Sequence, residues 1–226
     1  MTRQSGRRCR LPNDESNEEK NKESIDRKAQ LMEIALEKFA RLGYHQTKIS
    51  DIVSEAGVAQ GTFYWHFKSK EAIGLDIIEQ GKGRLLQVID QGYRQDPGEL
   101  DDMVQASEAL FLRLFGFAQQ NRHLMEILLM GNGADQTIRQ SISDARNAME
   151  QGFRRNIRRA KELHMLPESI DVELRAALLM SMCEGLLSRW LFDSGEMHSK
   201  IAESTAEQLA SELANFEFYG LLGKSR

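Results

Sequence analysis

The stretch from Lys48 to Lys70, KISDIVSEAGVAQGTFYWHFKSK, constrains this chain more than any other. Ile49, Ile52 and Val53 recur at helical spacing, which predicts a short helix with one apolar stripe. Ala56-Gly57-Val58 follows as a tight turn, with Gly57 free to take the positive φ such a bend often needs. A second short helix is predicted from about Gln60 to Phe67, and its Phe63 and Phe67, four apart, face the same way. That leaves Gln60, Thr62, Tyr64, Trp65 and His66 without a core role. Water alone does not favour large hydrogen-bonding side chains crowded on one short face. A polar, anionic groove suits them, and a helix-turn-helix sets its second helix in a DNA major groove in this way.

Upstream, a helix is predicted from near Ser24 to about Leu42, with Ile25, Ala29, Met32, Ala35, Leu36 and Phe39 inward and Gly43 as its stop. Thr47 reads as the N-cap of the next helix and, with Lys48 and Ser50, as a phosphate contact. In the second short helix Gln60 can pair with adenine, the Thr62 methyl can touch thymine, and Gly61 lets the backbone approach closely. Tyr64, Trp65 and His66 are assigned to the sugar–phosphate backbone. Trp65 is expected to pack in part against the helix before it, or to be a half-buried core residue. His66 is expected to gain charge below pH ~6.5. Lys68 and Lys70 supply cationic contacts, and Ser69 is the N-cap of the helix that Lys70 opens.

The run Gly61-Thr62-Phe63-Tyr64-Trp65-His66-Phe67-Lys68-Ser69-Lys70-Glu71 resembles the tetracycline-repressor (TetR) family of transcriptional regulators. Gly43-Tyr44, Thr47, Ile52 and Ala56-Gly57-Val58 fit the same pattern. The resemblance covers roughly Ala29 to Leu75; beyond that the chain is similar to the family only in length and helical pattern. It implies an all-helical, dimeric repressor whose first three helices bind double-stranded DNA and whose middle helices hold a small effector.

Residues 1–23 are nearly free of large apolar side chains and read as a disordered arm, in which Arg3, Arg7, Arg8 and Arg10 either belong to a solvated tail with little effect on specificity or track DNA. Residues 24–70 read as the helix-turn-helix domain and 71–226 as a helical effector-binding and dimerisation body. The net charge of −4 is unevenly spread: residues 1–70 are basic on balance and the rest is acidic, so DNA can be gripped locally. No apolar run reaches the ~18 residues of a membrane span and no signal peptide is apparent, so a cytoplasmic location is expected. Only Cys9 and Cys183 are present, which predicts no disulfide framework.

A long helix is predicted from Lys70 to about Gln91, interrupted by Gly81 and Gly83, which mark either a bending point or close packing. After the turn at Gln95-Asp96-Pro97-Gly98, helices are predicted near 99–120, 122–130, 135–164, 171–194 and 199–222, giving an all-α fold. Met and Phe residues recur in this body and serve either as packing or as the lining of an adaptable apolar site. Phe111, Phe115, Met125, Met149 and Phe153 are the effector-binding candidates, for a lipophilic ligand such as an acyl compound or a hydrophobic drug. Glu184 stands in a helix that is apolar nearly all round; it pairs with Arg189 or another chain, meets the ligand, or faces solvent. The Arg154-Arg155 and Arg158-Arg159 run reads as a solvated face. The last two long helices suit a two-fold homodimer, with recognition helices about 34–36 Å apart on a palindromic operator.

The five histidines are scattered without metal-ligand spacing, and neither a nucleophile motif nor a phosphate loop occurs, so no catalytic residue, metal or cofactor is expected. The alternative is a helical protein whose body has an enzymatic or purely structural interaction role, which leaves the Gln-Thr-Tyr-Trp-His face without a purpose.

Overall fold

In the computed structural model, which describes residues 12–131, 135–193 and 200–222, the chain is built from helices. They are α1 (Pro12–Leu42), α2 (Ile49–Glu55), α3 (Gln60–His66), α4 (Lys70–Asp90), α5 (Leu100–Gln120), α6 (Arg122–Met130), α7 (Gln136–Glu162), α8 (Val172–Phe192), α9 (Lys200–Glu203) and α10 (Ala206–Tyr219). No strand occurs among the described residues.

Local chemistry sets most boundaries. Gly43 ends α1 at φ +86° and Gly57 makes the α2–α3 turn at φ +65°. Ser69 caps α4, its hydroxyl oxygen accepting from the Ala72 N–H at 3.1 Å. Two boundaries differ from expectation. The first helix starts at Pro12, not near Ser24. Proline is favoured in a first helical turn, and the four glutamates and two lysines between Asn13 and Ser24 favour helix. The expected 199–222 helix is broken at Ser204-Thr205, because Thr205 starts a new helix in a reciprocal cap with Gln208. The arm arginines, Cys9 and the turn residues 132–134 and 194–199 lie outside the described residues.

The first three helices form the head around Leu31, Ala35, Ile52, Phe63 and Phe67. α4 leaves the head and packs on α7, α8 also packs on α7, and α5 pairs with α10. Gly81 is buried in α4, and a Cβ there would lie 2.5 Å from Leu124 Cδ1 on α6, whereas a Cβ on Gly83 would meet nothing within 4 Å. Of the two readings of the glycine pair, close packing therefore accounts for Gly81. The arginine run ties helices together rather than merely facing solvent. Arg154 bridges Glu150 and Glu173, Arg155 pairs with Asp90 of α4, and Arg159 donates to the Arg94 and Gln95 carbonyls. Cys183 is buried, and burial pushes its thiol pKa up. No helix among the described residues is long and apolar enough to cross a membrane.

Candidate DNA interface and effector cavity

Phe63 and Phe67 anchor α3 in the head core, their ring centroids 5.6 Å apart. Helical geometry then turns the remaining side chains outward. Trp65 is 81% exposed and Tyr64 51% exposed; Gln60, Gly61 and Lys68 are exposed, and Thr62 and His66 are half-buried. Two aromatic side chains are thus held far into water on a seven-residue helix, and neither contributes much burial to folding. Trp65 does not pack against the preceding helix as expected, nor is it a half-buried core residue. Lys48 and Ser50, at the start of α2, are also exposed.

Three expectations for the head need correction. Thr47 is only 1% exposed, and its hydroxyl lies 2.9 Å from the Gly43 carbonyl and 3.2 Å from the Lys38 carbonyl. It pins the α1–α2 connection from inside and neither caps α2 nor faces outward. The cap residue is Lys48, whose N–H donates to the Asp51 carboxylate at 3.0 Å. Lys70 is not a free cation: its Nζ donates to the Tyr44 carbonyl at 2.7 Å, the Thr47 carbonyl at 3.0 Å and the His45 carbonyl at 3.4 Å, and sits 4.5 Å from the Tyr44 ring centroid. His66 is held below its ordinary pKa by burial and by Lys28 and Arg27 of α1, so its charge appears at lower pH than expected. Sequence reasoning missed that α1 places Arg27 and Lys28 beside the end of α3; nothing local signals a neighbour so far away in the chain.

The head meets the body at Tyr44. Its hydroxyl hydrogen-bonds Asp135, the N-cap of α7, and burial followed by Asp135 and Glu71 pushes its pKa up to about 12. His45 Nδ1 lies 3.5 Å from the same carboxylate.

The body holds a cavity of about 590 Å³ between α5, α7, α8 and α10, within the ~300–1,000 Å³ range of small-molecule sites. Met103, Leu110, Phe111, Phe153, Leu179 and Met182 give it apolar walls; Arg94, Ser107, Asn156 and Glu217 give it polar ones. Of the five apolar candidates, Phe111 and Phe153 line it. Phe115 is fully buried with its ring edge-on to Trp190 at 5.8 Å, and Met125 and Met149 are buried outside the cavity wall. Glu184 is also not at this cavity. It pairs with Arg146 of α7, rather than Arg189, through two 2.5 Å contacts. The polar lining went unread because isolated Arg, Ser, Asn and Glu residues on otherwise polar stretches carry no periodic signal.

An exposed reading helix on a three-helix head, joined through one long helix to a hollow helical body, is the build of a DNA-binding transcription regulator. Residues 31–77 match the family described as bacterial regulatory proteins, tetR family. The chain is 24% identical over 200 residues to an uncharacterized HTH-type transcriptional regulator, YdgC of Bacillus subtilis (strain 168), covering 88% of this chain and 95% of that protein. Its fold is similar to that of the fatty acid degradation regulator FadR from Bacillus halodurans, with a TM-score of 0.72 at 19% identity over 88% of this chain and 97% of the other. It is also similar to FadR from Bacillus subtilis in complex with stearoyl-CoA, with a TM-score of 0.69 at 18% identity over 85% and 98%. The family match over residues 31–77 and the similarity to these regulators over most of the chain support a transcriptional regulator of the tetR family.

Proposed function

We propose that this chain works in the cytoplasm as a homodimeric repressor. It reads a palindromic operator through α3 and releases it when a small, largely apolar effector fills the body cavity. The observation that carries the reading is the outward display of Tyr64 and Trp65 beside Gln60 on α3. Gln60, Gly61 and Thr62 meet base edges; Tyr64, Trp65, His66, Lys68, Lys48 and Ser50 hold the backbone, joined by Arg27. Thr47 and Lys70 drop out of this set and support it from below. The domain limits follow the same division, with the head ending at Lys70 and the body beyond.

The dimer is supported by the outer face of α8. Leu174 and Leu178 are 55% and 45% exposed, and the stripe continues through exposed Ser181 and Gly185. A Cβ on Gly185 would meet nothing within 4 Å, so packing within one chain gives no reason for a mid-helix glycine; a close-lying partner helix does. An effector is supported by the cavity and by the relative solved with stearoyl-CoA. Coupling runs along α7: one end is held by Tyr44 through Asp135, and the stretch around Phe153 and Asn156 lines the cavity. A ligand that favours one α7 position shifts the heads only through that difference in affinity.

Gel-shift titration against the chain's own promoter region tests this. A discrete, competitor-resistant complex is expected. Tyr64→Ala should weaken binding to all sequences, while Gln60→Ala should relax preference at one or two base pairs. Absence of a specific complex in any ligand state rejects the reading; wild-type behaviour of both variants rejects the contact assignment.

A further inference from the structure

The described residues leave the body cavity open on one side. It lies in the gap between two helix pairs, α7 with α8 and α5 with α10; α10 packs chiefly on α5 and meets α8 only lightly. On each side of that gap one large apolar residue lines the cavity and is also exposed: Leu178 of α8 at 45% and Phe216 of α10 at 43%. Arg175, almost one turn before Leu178, lines the cavity and is exposed as well. Phe111 and Phe153, on the other two helices, line it and are buried. Leu178 and Phe216 are therefore the lips of a cleft between α8 and α10. Exposed apolar side chains around an opening of this kind mark a surface that something covers.

The outer stripe of α8 identifies the cover. Leu178 stands within that stripe, between Leu174 and Gly185, which lie about 16 Å apart along the helix axis. A partner helix about 10 Å across that runs along the stripe, close enough to use the open space at Gly185, has to cover Leu178. A second copy of the chain brings the same stripe, bare at the same point, so a two-fold pairing lets both helices approach where neither has a side chain in the way.

We infer that the partner chain closes the effector cavity: pairing through α8 lays the second copy over the cleft between α8 and α10, and each chain completes the other's site. This rests on the cavity being the effector site and on the α8 face being the dimer face. Its consequence is linkage. In a lone chain, an apolar ligand keeps part of its surface in water at the cleft, and in the dimer that part is covered. Covering about 60 Å² more of an apolar ligand raises affinity about tenfold. By reciprocity the ligand tightens the dimer, about a hundredfold when both sites are filled.

The test uses the full chain, with N-phenyl-1-naphthylamine, an uncharged apolar fluorophore, as the probe and Gly185→Arg to prevent pairing. Gly185 does not line the cavity and has open space around it, so the new side chain obstructs the partner and not the site. Light scattering should give a dimer for wild type and a monomer for the variant, and the variant should bind the probe at least about tenfold more weakly. Equal affinity in dimer and monomer overturns the inference and leaves the effector reading standing. A variant that still pairs, or a wild type that does not, overturns the inference together with the dimer face. If neither protein binds the probe, the apolar effector reading falls and the inference with it. Should the variant misfold, wild type decides: subunit exchange between donor- and acceptor-labelled dimers should slow at least about tenfold in saturating probe, and an unchanged rate overturns the inference.

Discussion

The head and the body treat their internal polar groups in opposite ways. In the head the Lys70 ammonium has three carbonyl acceptors and the buried Thr47 hydroxyl has two, while the groups left over point outward on α3. In the body Arg94, Arg154, Asn156 and Glu217 each keep a buried side-chain atom without a partner. A buried polar group without a partner costs free energy, so the body carries a local penalty that the head does not. The head satisfies its internal polar groups, and the body leaves some of its own unsatisfied.

That contrast can be broken by measurement. The largest effect is expected from Glu217. Burial raises its folded pKa to about 7 from an ordinary 4.5, so the folded state holds the proton more tightly than the unfolded chain. Its stabilising contribution is full below pH 4.5 and is lost as pH rises through about 7. Glu217→Gln should remove that slope, making the variant more stable than wild type at pH 8 by about 3 kcal/mol, read by denaturant melts across pH. A wild-type slope in the variant would place the carboxyl in water. Next, Lys70→Met should cost about 2 kcal/mol in thermal unfolding by leaving three carbonyls without their donor, against little loss if Lys70 were an external DNA contact.

A smaller effect separates the two glycines of α4. Gly83→Ala should stabilise by about 1 kcal/mol through helix propensity, since it faces open space. Gly81→Ala should instead destabilise by about 1 kcal/mol, because the added carbon presses on buried Leu124. Equal stabilisation of both would show that α6 yields easily. Smallest of all, Trp65→Ala should leave the melting free energy within about 0.5 kcal/mol while weakening operator binding, so a large loss of stability would mean the side chain packs after all.

Much of the head was legible because its signals are local. Gly43, Gly57 and Ser69 mark helix ends by backbone and capping chemistry that needs no distant partner, and the outward residues of α3 follow from the inward Phe63 and Phe67. Two of the errors there, Thr47 and Lys70, are side chains with partners as far as 9 and 26 residues away. In the body the helices were legible and the cavity was not. Phe115 and Phe111 share one apolar face of α5, yet one packs edge-on to Trp190 and the other borders the cavity. Periodicity says which face turns inward and is silent on what waits there.

Taken alone, the order of residues determined the all-helical fold, the turn between α2 and α3, and which side chains of α3 are left for a partner, because each depends on neighbours within a turn or two. Only the tertiary structure decided that Thr47 and Lys70 brace the head, that Glu184 pairs with Arg146, and that Arg94, Asn156 and Glu217 converge on one cavity. Those outcomes depend on where helices far apart in the chain come to lie, and hydrogen-bond partners and empty volume exist only once they have packed.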